Sequence, residues 1–261
     1  MALFLFLIFF SILPSSAQAA TYYIDATHGL DTNDGTSPDT AWQTLSKASA
    51  PPVTSGDTIY LKRGETWTGT TLTPATGTTI DAYGSGNKPI IDGNSAVARA
   101  INVVANNVSV SNIMVKGATS SMVFVGASGI TLNDIESTGN PIAFRINSGT
   151  AILNRVISTS ASNAAFLFEN SSVVTVNTAI STTTTTGSGF RAINSSNVTC
   201  NDCIASDSAV DGFSISHSAV LTCNRCKAFN NGSTSDSSSG DGFTSHHTST
   251  LNVRYSIAYG N

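Results

Sequence analysis

Positive charge is scarce in this chain. Twelve Lys and Arg stand against sixteen Asp and Glu, charged residues make up 11% of 261, and the net charge is −4. A nucleic-acid footprint needs a basic stripe, and no Lys/Arg cluster supplies one, so nucleic acid is not an expected partner. Long apolar runs are lacking after the N-terminus. None approaches the ~20 residues of a membrane span, so the mature chain is not expected to cross a bilayer. Helical periodicity is missing as well: no repeated unit places apolar residues at i, i+3 and i+4. Cysteine is limited to four residues, all held in "TCNDC" (199–203) and "TCNRC" (222–226). What remains is a Ser/Thr/Asn/Gly-rich chain with scattered Val and Ile, a composition of short strands and polar turns.

The N-terminal segment differs from the rest. "MALFLFLIFFSILPSSAQAA" is a short apolar run, then Pro14, then small residues, with Ala17-Gln18-Ala19 as an A-x-A cleavage site. Residues 1–19 read as a secretory signal peptide, although the run lacks a leading Lys or Arg. An uncleaved N-terminal anchor is the alternative. In either case the mature chain leaves the cytoplasm, the expected location is extracellular, and disulfides are permitted.

Internal repetition decides the fold class. The apolar residue before each Asn of "TCNDC" and "TCNRC" has equivalents in "VSVSNI", "ITLNDI", "AILNRV", "VTVNTA" and "LNVRYSI". These are Val110, Leu132, Leu153, Val176, Cys200, Cys223 and Val253, separated by 22, 21, 23, 24, 23 and 30 residues. The longer last interval contains the Ser-rich "NNGSTSDSSSG". A second column follows three residues later: Ile113, Ile135, Val156, Ala179, Cys203, Cys226 and Ser256. A third is aromatic: Phe124, Phe144, Phe166, Phe190, Phe213 and Phe243. Asn170, Asn194, His217 and His247 each lie four after their Phe, whereas Asn147 lies three after Phe144.

Each unit is thus two or three short strands joined by polar turns. It is too small to bury its apolar face alone, so it stacks on copies of itself. The prediction is an all-β solenoid, a parallel β-helix of 21–24-residue coils rising ~4.8 Å each. Apolar columns fill its interior and Asn columns hydrogen-bond along the axis. A β-sandwich would not keep a fixed register. Residues 20–96 are expected to form an N-terminal cap and first irregular coils, and 97–261 the regular coils. Within the cap, "YYID" reads as a strand. "AWQTLSKASA" reads as a short amphipathic helix with Thr40 as N-cap. The chain stops in mid-coil at "SIAYGN" with no distinct C-terminal cap, which reads as truncation, and a monomer is expected otherwise.

With the coils in view, "YYIDATHGLDTNDGTSPDTAWQTLSKA", "SGDTIYLKRGETW" and coils of the "NVTCNDCIASDSAVDGF" type resemble secreted bacterial right-handed parallel β-helix proteins of the pectate-lyase superfamily. The resemblance spans essentially the whole mature chain. Its nearest motif likeness is to family-9-type pectate lyases. Such enzymes bind Ca²⁺ through an "ADGF" Asp and a following "DDGWD" cluster, and use a later Lys as the base. Here "GDGF" matches the first position with Asp241, and "VDGF" offers Asp211 one coil earlier. Neither "DDGWD" nor the later Lys is present. The resemblance implies a secreted protein that binds, and cleaves or modifies, an acidic polysaccharide. A Ca²⁺-dependent lyase is the enzymatic form of that reading. A non-catalytic adhesive or carbohydrate-binding β-helix is the alternative, because this architecture hosts both.

Several residues are candidates for such a site. Asp207, Asp211, Asp236 and Asp241 lie in equivalent turn regions and are candidate Ca²⁺ ligands, since Ca²⁺ takes several oxygens with two or more carboxylates. Asp-Gly is also ordinary turn chemistry. Arg145 and Arg191 each follow a column Phe and should point outward. With Lys227 they are candidate grips for uronate carboxylates, with scattered surface charge as the plainer reading. His217, His246 and His247 can bind metal or transfer protons, or simply continue the Asn column as turn residues. Tyr83, Tyr255 and Tyr259 are candidate sugar-stacking platforms, whereas Trp42 and Trp67 are expected in the cap.

The cysteine spacing matches a zinc signature, yet the repeat explains it independently. Cys200 to Cys223 and Cys203 to Cys226 are each one coil, in columns that are apolar elsewhere. The reading is a buried thiol ladder, with strained disulfides between stacked partners as the alternative. No zinc is expected at Cys200, Cys203, Cys223 or Cys226.

Overall fold

The structure is a computed structural model that describes residues 18–232 and 240–261. Most of the N-terminal apolar segment and Asp236 lie outside the described residues.

Short alternating segments pair only with their equivalents one coil away, and every pairing is parallel. One coil comprises Asn197–Asn201, Ile204–Ser208 and Phe213–Ile215. The next comprises Val220–Asn224, Lys227–Phe229 and Phe243–Ser245. They match residue for residue: Cys200 on Cys223, Ile204 on Lys227, Phe213 on Phe243. Three faces result. The first is a ten-stranded sheet from Thr21–Ile24 to Thr250–Arg254. The second runs from Thr66–Thr68 to Ile257–Tyr259, and the third from Arg99–Val103 to Phe243–Ser245. Strands Glu136–Ser148 and Ile157–Phe168 pass unbroken through the second and third faces.

The interior is built from the repeated columns. Val110, Leu132, Leu153, Val176, Cys200 and Cys223 stack in register and are buried, as are Ile113, Ile135, Val156, Ala179, Cys203 and Cys226. Phe144, Phe166, Phe190, Phe213 and Phe243 form a column of rings 4.4–5.0 Å apart. Offset aromatic stacking adds to the area that each ring buries.

Phe124 does not belong to that column. Val123 pairs with Phe144, and Phe124 pairs with the outward Arg145. The strand "SMVFVG" is apolar at four successive positions, so its pattern could not say which residue faces inward. The structure puts Val123 inside and Phe124 outside, where Arg99 covers its ring. Asn147 still joins the Asn column, accepting from Asn170 Nδ2 at 2.9 Å. Glu169 is the extra residue that absorbs the offset.

The corners explain which polar residues recur. Between the first and second faces the chain turns on one residue in the left-handed region: Asn112, Asp134, Arg155, Thr178, Asp202, Arg225 and Tyr255, with φ between 51° and 60°. The Asn before this residue stacks from coil to coil. Asn133, Asn154, Asn177, Asn201 and Asn224 pass Nδ2–H to Oδ1 at 2.7–2.9 Å. At the corner between third and first faces, Asn170, Asn194, His217 and His247 all take φ of 53–59°. Asn and His tolerate this region better than most residues, which is why they exchange there.

The cap segment departs from the expected amphipathic helix. It holds two short 3₁₀ turns, Pro38–Thr40 and Leu45–Ser49. Thr40 ends the first turn instead of capping a helix. The reason is in the backbone of Trp42: its N–H donates to Tyr23 O and its C=O accepts from Asp25 N–H. Those groups are committed to pairing with the first strand and are not free for a helix. Trp42, Leu45 and Ala48 are nonetheless buried in the core, together with Trp67. Trp42 stacks on Tyr22 at 4.6 Å and lies so close under Gly35 (φ +73°) that a Cβ there would meet the indole at 2.4 Å.

Candidate functional site

At the C-terminal end of the third face each strand enters through a glycine: Gly189, Gly212 and Gly242 precede Phe190, Phe213 and Phe243. The coils are so close that a Cβ on Gly212 would stand 2.8 Å from Gly242 O. The residues before these glycines are Ser188, Asp211 and Asp241. Those after each Phe are Arg191, Ser214 and Thr244, which point outward because the rings point inward. The His corner forms the other wall. Arg191, Asp211, Ser214, His217, His246 and His247 thereby line one open groove of about 450 Å³.

The groove is electrostatically mixed. Asp211 is only 4% exposed, and its Oδ1 accepts the N–H of Asp241 at 3.2 Å. Burial pushes its carboxyl above the ordinary aspartate range, against the opposing pull of the Asp241 amide, the Ser214 hydroxyl and the Gly240 amide. Arg191 is exposed, and among the described residues its guanidinium has no carboxylate or hydrogen-bond partner. His217 and His247 stack at 4.5 Å with an interplanar angle of 25°. His217 Nδ1 lies 2.9 Å from Ser216 Oγ. The groove therefore offers a cation with no partner among the described residues, a buried carboxyl and a stacked pair of imidazoles.

The other sequence candidates are dispersed. Arg145 lies on the same outward row as Arg191, two coils nearer the N-terminus with Leu167 between, and its Nε donates to Glu169 at 2.6 Å. Lys227 stands on the second face between Ile204 and Ile257 and does not join the two arginines. Its neighbour Ala228 is buried, so Lys227 points out on a different side of the solenoid. Asp207 is an exposed corner residue with φ +56° between the second and third faces. It shares its column with Thr183 and Asn230, so its local role is to make the turn. Of the three candidate aspartates among the described residues, Asp211 and Asp241 meet. Among the described residues this pair supplies two carboxylates of the several oxygens that a Ca²⁺ shell takes.

One acidic cluster escaped the sequence analysis. Ligand atoms of Asp25, His28 and Glu65 all lie within 4.8 Å of one another. Lys62 Nζ stands 2.6 Å from Asp25 Oδ2, while Asp25 Oδ1 accepts the N–H groups of Thr27 and His28. Glu65 accepts the Thr27 hydroxyl. An ammonium already holds the place of a cation, and the group clasps the cap loop to the next coil. No spacing could reveal it, because it exists only through the Tyr23–Tyr60 register. Tyr83 packs edge-on against Tyr23 at 5.1 Å, and burial pushes its phenol up to about 12. It is therefore no free stacking platform. Tyr255 is 93% exposed and Tyr259 stacks on Phe229.

The four cysteines are buried free thiols. Mutual hydrogen bonding with Cys203 and Cys223, together with burial, pushes the Cys200 thiol well up, and burial does the same to Cys203. Cys203 and Cys226 reach the carbonyls of Val176 and Cys200. No three of the sulfurs lie within 4.8 Å of one another among the described residues.

Fold and groove together define a class: a solenoid carrying a polar, ligand-sized trough on one face. The model of the right-handed β-helix region matches residues 99–258, and the chain belongs to that family. Among solved structures, pectate lyase Pel9A aligns with a TM-score of 0.58 at 19% identity, covering 95% of this chain and 65% of its own. A rhamnogalacturonan lyase aligns at 0.55 and 16%, covering 93% and 69%. The GH136 lacto-N-biosidase from Eubacterium ramulus aligns at 0.52 and 15%, covering 79% of this chain but only 45% of the enzyme. At these identities the likeness is one of fold. No curated protein matches the sequence.

Proposed function

We propose that this protein binds an acidic polysaccharide along its third face and cleaves it by β-elimination in the groove. The observation that carries the reading is Arg191, a guanidinium without a partner among the described residues, lining one groove with the buried Asp211 and the stacked histidines. Arg191 grips a uronate carboxylate and withdraws charge from the adjacent carbon. An imidazole of the His corner accepts the proton alpha to that carboxylate. The bond from the β-carbon to the leaving oxygen breaks as the carbon–carbon double bond forms, and the Asp211 carboxyl returns a proton to the departing oxygen. Two lyases and a glycoside hydrolase among the structural neighbours support a carbohydrate-active β-helix. Export through the N-terminal segment accords with a polymeric substrate that cannot enter a cell. Ca²⁺ is a variable of the assay, and Asp211 and Asp241 are the described carboxylates that would help to hold it.

The test is a screen on pectate, alginate and chondroitin, with Ca²⁺ and with chelator, following the unsaturated product by its ultraviolet absorbance. Product that disappears in Asp211→Asn and Arg191→Ala supports the mechanism. Binding without product selects the non-catalytic reading. Neither binding nor product on any acidic polymer overturns the proposal.

A further inference from the structure

Resting on that reading, we infer that Arg99 forms a second acidic-group subsite at the N-terminal end of the same face, so that the protein measures the length of its ligand.

The geometry at Arg99 is that of a pre-set anion receptor. Its guanidinium lies on the ring of Phe124, 3.4 Å from the centroid. Its Nη1 is tied to Asn102 Oδ1 at 2.7 Å. These contacts fix the plane of the fork while leaving its remaining N–H groups without a partner among the described residues, and stacked guanidinium is well suited to bidentate capture of a carboxylate or sulfate. A shallow hollow of about 250 Å³, lined by Thr71, Ala98, Arg99 and Asn102, opens beside it. Burial and the nearby Arg145 both disfavour its charge, a cost that a bound anion would offset.

Pairing divides the arginines of the regular coils. Arg145, Arg155 and Arg225 each hold a carboxylate. Arg99, Arg191 and Arg254 hold none among the described residues, and of these Arg99 and Arg191 belong to the third face. Asn102, Phe124, Arg145, Leu167 and Arg191 form one outward row. Asn102, which holds the Arg99 fork, and Arg191 are thus four coil steps apart along the axis, roughly 19 Å at ~4.8 Å per coil. A pyranose in an extended chain advances by about one coil spacing, so a chain of roughly five sugars bridges them. Arg145 between them is neutralised by Glu169, so the middle of the row makes no demand for acid groups. The ligand is an extended polysaccharide whose anionic groups need to coincide with the two ends.

Oligogalacturonides of two to eight units, titrated by calorimetry against the full chain, test this. Wild-type affinity should step up by about tenfold between four and six units. Arg99→Gln should abolish the step and leave dimer binding unchanged, with folding checked by its melting curve. Asn102→Ala keeps the charge but frees the fork, and should reduce the step. Arg191→Gln should weaken every length. If Arg99→Gln leaves hexamer affinity intact, or weakens dimer and hexamer equally, the subsite is overturned while the groove stands. If the wild type binds no acidic oligomer at any length, the groove reading falls and the subsite with it.

Discussion

The first and third faces are built from the same kind of strand, yet they end in opposite conditions. On the first face and its corner each coil repeats its neighbour. Asn133 to Asn224 satisfy one another along the axis, and Asp134 with Arg155 and Asp202 with Arg225 close bidentate pairs. On the third face the interior is just as regular, five rings deep, but the outward rows do not repeat. Arg191 is followed by Ser214 and Thr244, and Ser188 by Asp211 and Asp241. Repetition pairs like with like and consumes hydrogen-bonding capacity. Its interruption over a constant core leaves groups facing solvent with nothing to hold.

That contrast can be broken experimentally, most severely in the shared core. Phe190→Ala should cost about 3–5 kcal/mol by urea unfolding, since its ring stacks on both Phe166 and Phe213. Asn177→Ala should cost about 1–3 kcal/mol, because Asn154 and Asn201 each lose a half-buried partner. The groove should respond inversely. Arg191→Ala should change stability by no more than about 0.5 kcal/mol while weakening acidic-ligand binding by roughly tenfold or more.

Asp211→Asn should stabilise the protein at neutral pH. A carboxyl whose folded pKa is raised contributes stability below its unfolded value, and that contribution is lost as pH rises through the folded value. The advantage of the Asn variant should therefore be absent at low pH and grow across the window above the ordinary aspartate pKa. A flat difference between wild type and variant would show that Asp211 is not buried as described. The exposed Arg225→Gln should be the mildest change, with no measurable shift in melting midpoint.

Most of the fold was legible because stacking converts sequence period directly into contact. Cys200 and Cys223 are neighbours in space for the same reason that they are 23 apart in sequence. Register failed where the pattern carried no alternation, at Phe124, and where secondary structure was set by a tertiary demand, at Trp42. The site was only partly legible. Arg191, Asp211 and the histidines could be nominated by residue type. Which of them share a groove depends on corner geometry, and Lys227 shows how three residues of like charge can land on different faces. Arg99 carried no signal, since its meaning comes from a ring that the column rule had placed indoors.

The corner holding Asn170, Asn194, His217 and His247 demands a backbone angle that amide and imidazole residues both tolerate. Any side chain that tolerates that angle is admitted, whatever else it can do. Such a position is an open slot in the inheritance of the protein. Amide can give way to imidazole, and filler to reagent, one coil at a time and without renegotiating the core. A solenoid of this kind can acquire or move its chemistry along its length much as a ruler can be re-marked without being recast.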